Sequence, residues 1–279
     1  MTFKTIVAII QNSAEADRVV GCAVALASRY DGHLIGIHAE ALPIPYTATI
    51  GFPDAEFIQA SAEINKERSE KLGALFSERA KAAGVSAEWR SLESFSGDSA
   101  LSGIASARCA DLVVAAQADP DVDSGGSADI ETLLFDAGRP VLIMPHHGPC
   151  LSSYRRVLVA WDGSRQASRS VFDALPFIME ANDTEIFMVD PPGDRFEAGD
   201  EAGADIAATL ARHGVDVRVH TEKSHGLSTD TMIQNRLADT GADLLVLGAY
   251  SHSWLREFLF GGVTRTVLHS MPVTAFLSR

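Results

Sequence analysis

The second half of this chain repeats the first, and the repeat constrains the fold more than any other feature of the sequence. At an offset of 151 residues, segment 3–11 aligns with segment 154–162, and each has a basic residue beside a short apolar run. At an offset of 132 residues, Ala110–Val114 aligns with Ala242–Val246. The offsets differ by 19 residues, so the second copy is shorter in its middle. Such a repeat predicts two domains of one fold.

Short apolar runs alternate with amphipathic segments in both copies. Strands are predicted in the first copy at 6–10, 33–38, 86–91, 111–115 and 141–144. They are predicted in the second copy at 157–161, 185–189, 216–220, 244–247 and 273–277. This alternation is typical of an α/β domain with a doubly wound parallel sheet and helices on both faces. We place the two domains at 1–147 and 154–279, with a linker between them.

Helices are predicted from apolar spacing and from cap residues. The first spans 13–29 with Ser13 as its cap, and a long helix at 56–83 ends at Gly84. In the second copy a helix begins at Ser164. The remaining predicted helices lie at 98–107, 130–137, 200–213 and 229–240.

The clearest candidate site lies near the end of the chain. The apolar run 244–247 stops at Gly248, and the pair Gly261-Gly262 begins thirteen residues later, before a predicted helix. Glycine turns let backbone N–H groups approach an anion, and a helix dipole adds about half a positive charge at its amino end. The pattern indicates a phosphate-binding site. Glycines that only end a strand and begin a helix would give the same local sequence.

Composition excludes several classes of partner. The chain has 23 basic and 37 acidic residues, a formal net charge of −14, and no run rich in Lys or Arg, so neither nucleic acid nor an anionic membrane is an expected partner. No stretch reaches the ~18 apolar residues that span a bilayer, and the apolar run at 6–10 is too short for a signal peptide. The three widely spaced cysteines Cys22, Cys109 and Cys150 fit a reducing compartment. We therefore expect a cytoplasmic protein.

These motifs together resemble the universal stress protein family in its tandem two-domain form. The family signature is a glycine, two residues, a second glycine, nine residues, and then a glycine followed by Ser or Thr, with an Asp after the first strand. Here Gly248, Ser251, Gly261 and Gly262 hold those places, and Asp162 supplies the early turn. The spacing is intact, although Ser251 and Gly262 depart from the family residues. The resemblance covers nearly the whole chain.

The resemblance implies a five-stranded parallel sheet in each domain, with strand order 3-2-1-4-5. It implies ATP or AMP as the ligand, with Asp162 near the ribose or adenine and the backbone of Val189 at the adenine edge. The phosphates would be lined by Gly248, Ser251, Gly261, Gly262 and Val263. The hydroxyl of Thr264 or Ser251 would replace the one that Gly262 lacks.

The resemblance also implies an assembly. The last strands of the two domains, 141–144 and 273–277, would pair with each other, and the whole chain would form a homodimer.

The first copy departs from the motif throughout. Its corresponding positions are held by Ala116, Asp119, Asp129 and Ile130, and Gln11 stands where the second copy has Asp162. Two carboxylates and a β-branched side chain would oppose a phosphate electrostatically and sterically. We predict that the first half binds no nucleotide.

No metal site or catalytic motif is predicted. Segment 119–125 resembles the start of a calcium loop, but Gly125 is one place late and Ile130 stands at the twelfth position, so an acidic loop is favoured. His146, His147 and Cys150 have no fourth zinc ligand nearby. The chain has no G-x-S-x-G, no P-loop with Lys and no H-E-x-x-H.

Three functional hypotheses follow. The first is a stress-response protein that binds an adenine nucleotide in its second half and has a regulatory rather than catalytic role. The second is a dimeric scaffold that works without nucleotide, which the Ser251 and Gly262 departures favour. The third, a slow phosphohydrolase, lacks a placed base or metal triad.

Overall fold

The computed structural model describes residues 2–41, 55–94, 99–117, 130–148, 151, 153–191, 202–249 and 270–279. The chain divides into two compact units, Thr2–Ser152 and Ser153–Arg279. Each unit contributes five parallel strands and has its own buried core.

The first unit alternates strands with helices along the chain. Its strands are β1 (Thr5–Ile9), β2 (His33–Ala41), β3 (Ala87–Ser94), β4 (Leu112–Ala116) and β5 (Val141–Met144). Its helices are α1 (Ser13–Tyr30), α2 (Ala55–Ala82), α3 (Ser99–Ala107) and α4 (Ile130–Asp136). The strands are ordered β3-β2-β1-β4-β5, and all neighbouring pairs are parallel.

The second unit repeats this arrangement. Its strands are β6 (Arg156–Ala160), β7 (Asp183–Val189), β8 (Val217–Glu222), β9 (Leu244–Gly248) and β10 (Thr274–Ser278). Its helices within the described residues are α5 (Arg165–Asp173), α6 (Leu175–Glu180), α7 (Ala204–Arg212) and α8 (Thr229–Thr240). The order β8-β7-β6-β9-β10 is the first unit's order with the same parallel pairing.

The predicted fold class and strand order are therefore confirmed in both units. Strands β4, β5 and β9 are buried along their whole length, as their apolar sequences require. Strand β8 lies at the edge of its sheet and is largely exposed, as its Arg, His and Glu residues require.

The cap prediction for the first helix is wrong by one residue. Asn12, not Ser13, has extended backbone (φ −143°, ψ 164°), and its Oδ1 accepts the N–H of Glu15 at 3.0 Å. Ser13 is the first helical residue. In the second unit the helix predicted to begin at Ser164 begins at Arg165, and Ser164 is its cap, because its Oγ accepts the N–H of Ala167 at 3.1 Å.

A buried carboxyl group lies in the first turn of α1. Glu15 is only 6% exposed, and its Oε1 accepts the N–H of Gln11 at 2.8 Å. Burial raises the pKa of Glu15 to about 7, and the hydrogen bonds from Gln11 and Asn12 offset only part of that rise. The position that aligns with it in α5 is Gln166, which is also buried but cannot ionise.

The end of β9 packs directly on the first turn of α5. A Cβ added to Gly248 would lie 2.5 Å from the carbonyl carbon of Gln166 and 2.8 Å from its Cβ. Ser170, also on α5, donates its hydroxyl to the carbonyl of Leu247 at 2.6 Å and accepts the N–H of Ser278 at 2.8 Å. One helix therefore holds the carboxyl ends of β9 and β10, and only glycine fits at the contact.

We predict that Gly248→Ala destabilises the second unit by about 2 kcal/mol or more, because the added methyl overlaps rigid backbone. Urea denaturation followed by circular dichroism measures the change. The matched control is Gly21→Ala in the middle of α1, where an added Cβ meets nothing within 4 Å. That change should stabilise the chain by about 0.5–1 kcal/mol. Equal effects of the two substitutions would contradict the packing argument.

We predict a pH-dependent gain in stability for Glu15→Gln. Between pH 4.5 and about 7 the folded chain keeps a proton on Glu15 that the unfolded chain releases, so the free energy of unfolding falls as pH rises through this window. Glutamine keeps an oxygen acceptor and cannot ionise. The variant should match the wild type near pH 4.5 and exceed it by about 2–3 kcal/mol at pH 8 in urea titrations.

The control for this comparison is Glu78→Gln, which neutralises an exposed carboxylate on α2. It should leave the pH dependence of unfolding unchanged. A Glu15→Gln variant whose stability parallels the wild type from pH 4.5 to pH 8 would show that Glu15 does not carry the proton.

Candidate functional site

A cleft of about 190 Å³ opens at the carboxyl edge of the second unit's sheet. Ala160 pairs with both Phe187 and Leu247, so β6, β7 and β9 reach this edge at the same level. The chain then turns away from each strand and leaves a crevice where the winding of the sheet reverses. The described residues that line it are Ala160, Trp161, Asp162, Phe187, Val189, Thr229, Ile233, Leu247 and Gly248.

The cleft brings together three of the eight predicted site residues, Asp162, Val189 and Gly248. They come from the ends of three different strands, as the predicted strand order requires. The other five, Ser251, Gly261, Gly262, Val263 and Thr264, lie outside the described residues. The structure therefore places Asp162 and Val189, the residues predicted for the ribose and the base, at one cleft, and the roles of all eight residues stay predictions.

Asp162 stands at the mouth of the cleft with an exposed side chain. Its Oδ1 accepts the N–H of Ser164 at 2.9 Å, across Gly163, whose φ of +73° only glycine adopts without strain. This turn fixes the carboxylate beside the start of α5. Its Oδ2 remains able to accept a hydrogen bond from a ligand hydroxyl.

Val189 offers an unpaired stretch of backbone to the cleft. Phe187 accepts the N–H of Trp161 at 2.9 Å, so the backbone groups of Phe187 face β6. Asp190 donates its N–H to Glu222 at 3.0 Å, on the opposite side. Backbone groups alternate along a strand, so the N–H and C=O of Val189 face the β6 side, beyond the end of that strand. Among the described residues neither group has a hydrogen-bond partner.

The turn after Val189 is held by Asp190. Its backbone is left-handed, with φ of +46°, and its Oδ1 accepts the N–H of Ser224 at 3.1 Å. Hydrogen bonds from Ser224 lower the pKa of the Asp190 carboxyl below its usual value. The carboxylate therefore ties the end of β7 to the segment after β8, which keeps the Val189 edge in place.

The sequence analysis did not assign the other six lining residues to the site: Ala160, Trp161, Phe187, Thr229, Ile233 and Leu247. Thr229 and Ile233 belong to the start of α8, whose position is set by Arg236; its Nε and Nη2 contact the two oxygens of Glu185 at 2.6 and 2.7 Å. A helix start that faces a sheet edge has no distinctive sequence signal. The aromatic residues were read only as core of predicted strands.

The volume limits what the cleft can enclose. At about 190 Å³ it is smaller than the ~300–1,000 Å³ of pockets that bury a drug-sized ligand. Its described walls combine apolar side chains, among them Phe187, Ile233 and Leu247, with polar groups such as the Asp162 carboxylate. The described walls therefore enclose about the volume of one planar ring system with part of an attached sugar.

The corresponding edge of the first unit is filled by the protein itself. Gln11, which aligns with Asp162, donates its Nε2–H to the carbonyl of Ala39 at 2.8 Å, and its Oε1 accepts the N–H of Ala39 at 3.1 Å. Of the residues expected to oppose a phosphate here, Asp119 and Asp129 lie outside the described residues, and Ile130 begins α4. The absence of nucleotide binding in this half stays a prediction, with Gln11 as an added physical reason.

Neither metal candidate gains support from the geometry. In the parts of the chain that the structure describes, no group of three His, Cys, Asp or Glu side chains is placed to hold a metal ion. The Nδ1 of His146 lies 3.3 Å from Oε1 of Gln117, and its ring is tilted by 52° against that of His147, with 4.4 Å between the ring centroids. Segment 119–125 and Cys150 lie outside the described residues. None of the described helices combines the length and apolarity needed to cross a bilayer.

Comparison with known proteins agrees with this description. The model of the universal stress protein family matches residues 153–279. No functionally curated protein matches the chain significantly in sequence.

Solved structures of similar fold span both units. A universal stress protein from Archaeoglobus fulgidus DSM 4304 is 18% identical, with 99% of this chain and 96% of that one covered and a TM-score of 0.71. A putative universal stress protein from Pseudomonas aeruginosa UCBPP-PA14 is 15% identical, with coverages of 99% and 93% and a TM-score of 0.57. A universal stress protein in complex with cAMP aligns with 53% of this chain and all of its own length, at 20% identity and a TM-score of 0.36. Residues 153–279 therefore belong to the universal stress protein family, and the whole chain has the fold of its tandem, two-domain form.

Proposed function

We propose that the second unit binds an adenine nucleotide, ATP or AMP, and that the protein is a cytoplasmic stress-response protein in which this binding is regulatory. The observation that carries the proposal is the backbone edge of Val189. It offers one donor and one acceptor, side by side, to an apolar cleft at the carboxyl edge of the sheet. An adenine ring carries a matching acceptor and donor on adjacent atoms, and its faces suit apolar walls.

Each part of the nucleotide has a proposed partner. The base lies against Val189, between the apolar side chains of the cleft, and the ribose hydroxyls donate to Asp162. The N–H of Ala249 already donates to Ser278 at 2.8 Å, so this group is not available to a phosphate. The phosphate donors must then come from the loop that follows, with Ser251, Gly261, Gly262, Val263 and Thr264.

The departures from the family motif set the affinity that we expect for the nucleotide. A hydroxyl that donates to a phosphate oxygen contributes about 1–2 kcal/mol, and Gly262 cannot supply it. A Cβ at Ser251 costs about 1 kcal/mol if the backbone there is left-handed. Together these losses correspond to roughly ten- to a few hundred-fold weaker binding. We therefore propose an affinity lower than that of a site with the complete motif.

A regulatory role is favoured over catalysis by the chemistry of the cleft. Among its described lining residues Asp162 is the only acidic one, Thr229 is the only one with a side-chain hydroxyl, and none is basic. Hydrolysis of a phosphate ester usually needs a positioned base together with metal ions or cationic groups. The slow phosphohydrolase hypothesis would need such groups from the loop after Gly248.

The alternative is a scaffold that works without nucleotide. Two observations favour it: Ser251 and Gly262 replace motif residues, and the first unit closes its own edge with Gln11. Both hypotheses retain a homodimer of the whole chain, which sedimentation equilibrium would test. They differ in whether nucleotide binds at all.

We predict saturable binding of ATP or AMP to the full chain, with one site per chain, in isothermal titration calorimetry. Asp162→Ala should weaken it about tenfold, because one hydrogen bond to a charged group is lost. The matched control is Asp183→Ala, which removes the same charge at the amino end of β7, where Asp183 pairs with Arg218 at 2.6 Å. This control should leave the affinity within about twofold, since rim charges far from a site act weakly.

The result separates the hypotheses. Absence of saturable binding in the wild type would favour the scaffold. An equal effect of the two substitutions would remove Asp162 from the site. Release of inorganic phosphate from ATP that stops in Asp162→Ala would favour the phosphohydrolase.

A further inference from the structure

The Gln11 side chain in the first unit makes the same pair of hydrogen bonds that the Val189 edge leaves open in the second. Its Nε2–H donates to the carbonyl of Ala39 at 2.8 Å, and its Oε1 accepts the N–H of Ala39 at 3.1 Å. Gln11 and Ala39 are each only 2% exposed. One planar group therefore satisfies both backbone groups of a single strand residue.

The strand register shows that Ala39 and Val189 are equivalent positions. Ile9 pairs with Ile37 in the first unit, and Ala160 pairs with Phe187 in the second. The next ladder bond is also the same, because Ile10 donates to Ile37 and Trp161 donates to Phe187, both at 2.9 Å. Two residues further along β2 and β7, the backbone groups again face the side of β1 and β6, and these residues are Ala39 and Val189.

The chemistry of the carboxamide explains why it fits. A primary amide has one oxygen acceptor and one N–H donor in a plane, on neighbouring positions. A nucleobase such as adenine presents a ring nitrogen acceptor beside an amino donor in the same arrangement. A side chain and a base therefore compete for the same two backbone groups, and the side chain has the advantage of being intramolecular.

We propose that the first unit retains a nucleobase-binding edge at Ala39, which its own Gln11 side chain occupies. This inference rests on the proposed function in one respect, because it takes the Val189 edge as the place where a base binds. The guest would be a neutral planar nitrogen heterocycle with adjacent acceptor and donor atoms. A nucleoside suits this edge better than a nucleotide, since Asp119 and Asp129 follow in the sequence where phosphates would lie.

The surroundings of Gln11 tie it to the start of α1. Its backbone N–H donates to Glu15 Oε1 at 2.8 Å, and Asn12 caps the helix. The second unit's helix α5 begins at Arg165, one position later in the alignment than α1. The Asp162 side chain is one carbon shorter than that of Gln11, the aligned residue. The longer side chain in the first unit spans the gap to strand β2, whereas Asp162 instead accepts the N–H of Ser164.

The test is titration of the full chain with adenosine, which lacks phosphates. Gln11→Ala removes the carboxamide, and Gln11→Asn keeps it on a side chain one methylene shorter. Either substitution should raise the adenosine stoichiometry by one site per chain over the wild type. In two-dimensional NMR, the backbone amide resonance of Ala39 should shift on adenosine addition in the variant and stay fixed in the wild type.

The matched control is Gln117→Ala, which removes another carboxamide of the same unit that is 1% exposed and contacts His146. It should add no site. Gln11→Ala leaves the two Ala39 groups without their partner and lowers stability, so Gln11→Asn gives the second measurement if Gln11→Ala does not fold. Unchanged stoichiometry and an unchanged Ala39 resonance in a folded Gln11 variant would overturn the proposal, as would an equal gain in Gln117→Ala.

The two proposals fail in different ways. The wild-type stoichiometry reports on the second unit, and the difference between variant and wild type reports on the first. A wild type that binds no adenosine and a Gln11 variant that binds one would support the edge in the first unit and would contradict base binding at Val189 in the second.

Discussion

In each unit, one residue near the end of the second strand has an N–H and a C=O that no neighbouring strand pairs. The second strand of each sheet continues beyond the end of the first strand, so one N–H and one C=O near its end have no ladder partner. Such groups need a hydrogen-bonding partner when they are removed from water, and leaving them unpaired costs about 1–3 kcal/mol each. The first unit supplies Gln11 from its own chain. The second leaves Val189 at a cleft, which is the physical basis for expecting a ligand there.

The two units also differ in how closely a helix approaches the sheet. Gly248 touches the backbone at Gln166 and Ala167, whereas the aligned residue in the first unit, Ala116, is buried and carries a Cβ. The first turn of α1 therefore cannot lie as close to β4 as α5 lies to β9. The glycine that the sequence analysis assigned to an approaching phosphate has a packing reason of its own. The same residue can still line the site, but its identity is not evidence for an anion.

The fold was predictable because periodicity and repetition report it directly. The run 244–247 and its copy near 112 are apolar throughout, and only strands covered on both faces combine that pattern with this length. The site was predictable in part, since Asp162, Val189 and Gly248 follow strand ends that the strand order makes neighbours. The hydrogen bonds of Gln11 were not, because they depend on how far a side chain reaches across two strands. The same limit explains why Thr229 and Ile233 were missed, because their place depends on the docking of a helix. Ser13 was chosen as a cap over Asn12 because the two adjacent residues have similar capping ability and differ only in their backbone angles.

The hydroxyl of Ser170 has a mechanical consequence. It joins the carbonyl of Leu247 to the N–H of Ser278, and Ser170 itself is fully buried on α5. The two strand ends are thus crosslinked without any charge, and the connection does not weaken with salt or with pH in the physiological range. Ser170 therefore couples the ends of β9 and β10 to α5, so a displacement of either strand end would strain a contact with that helix.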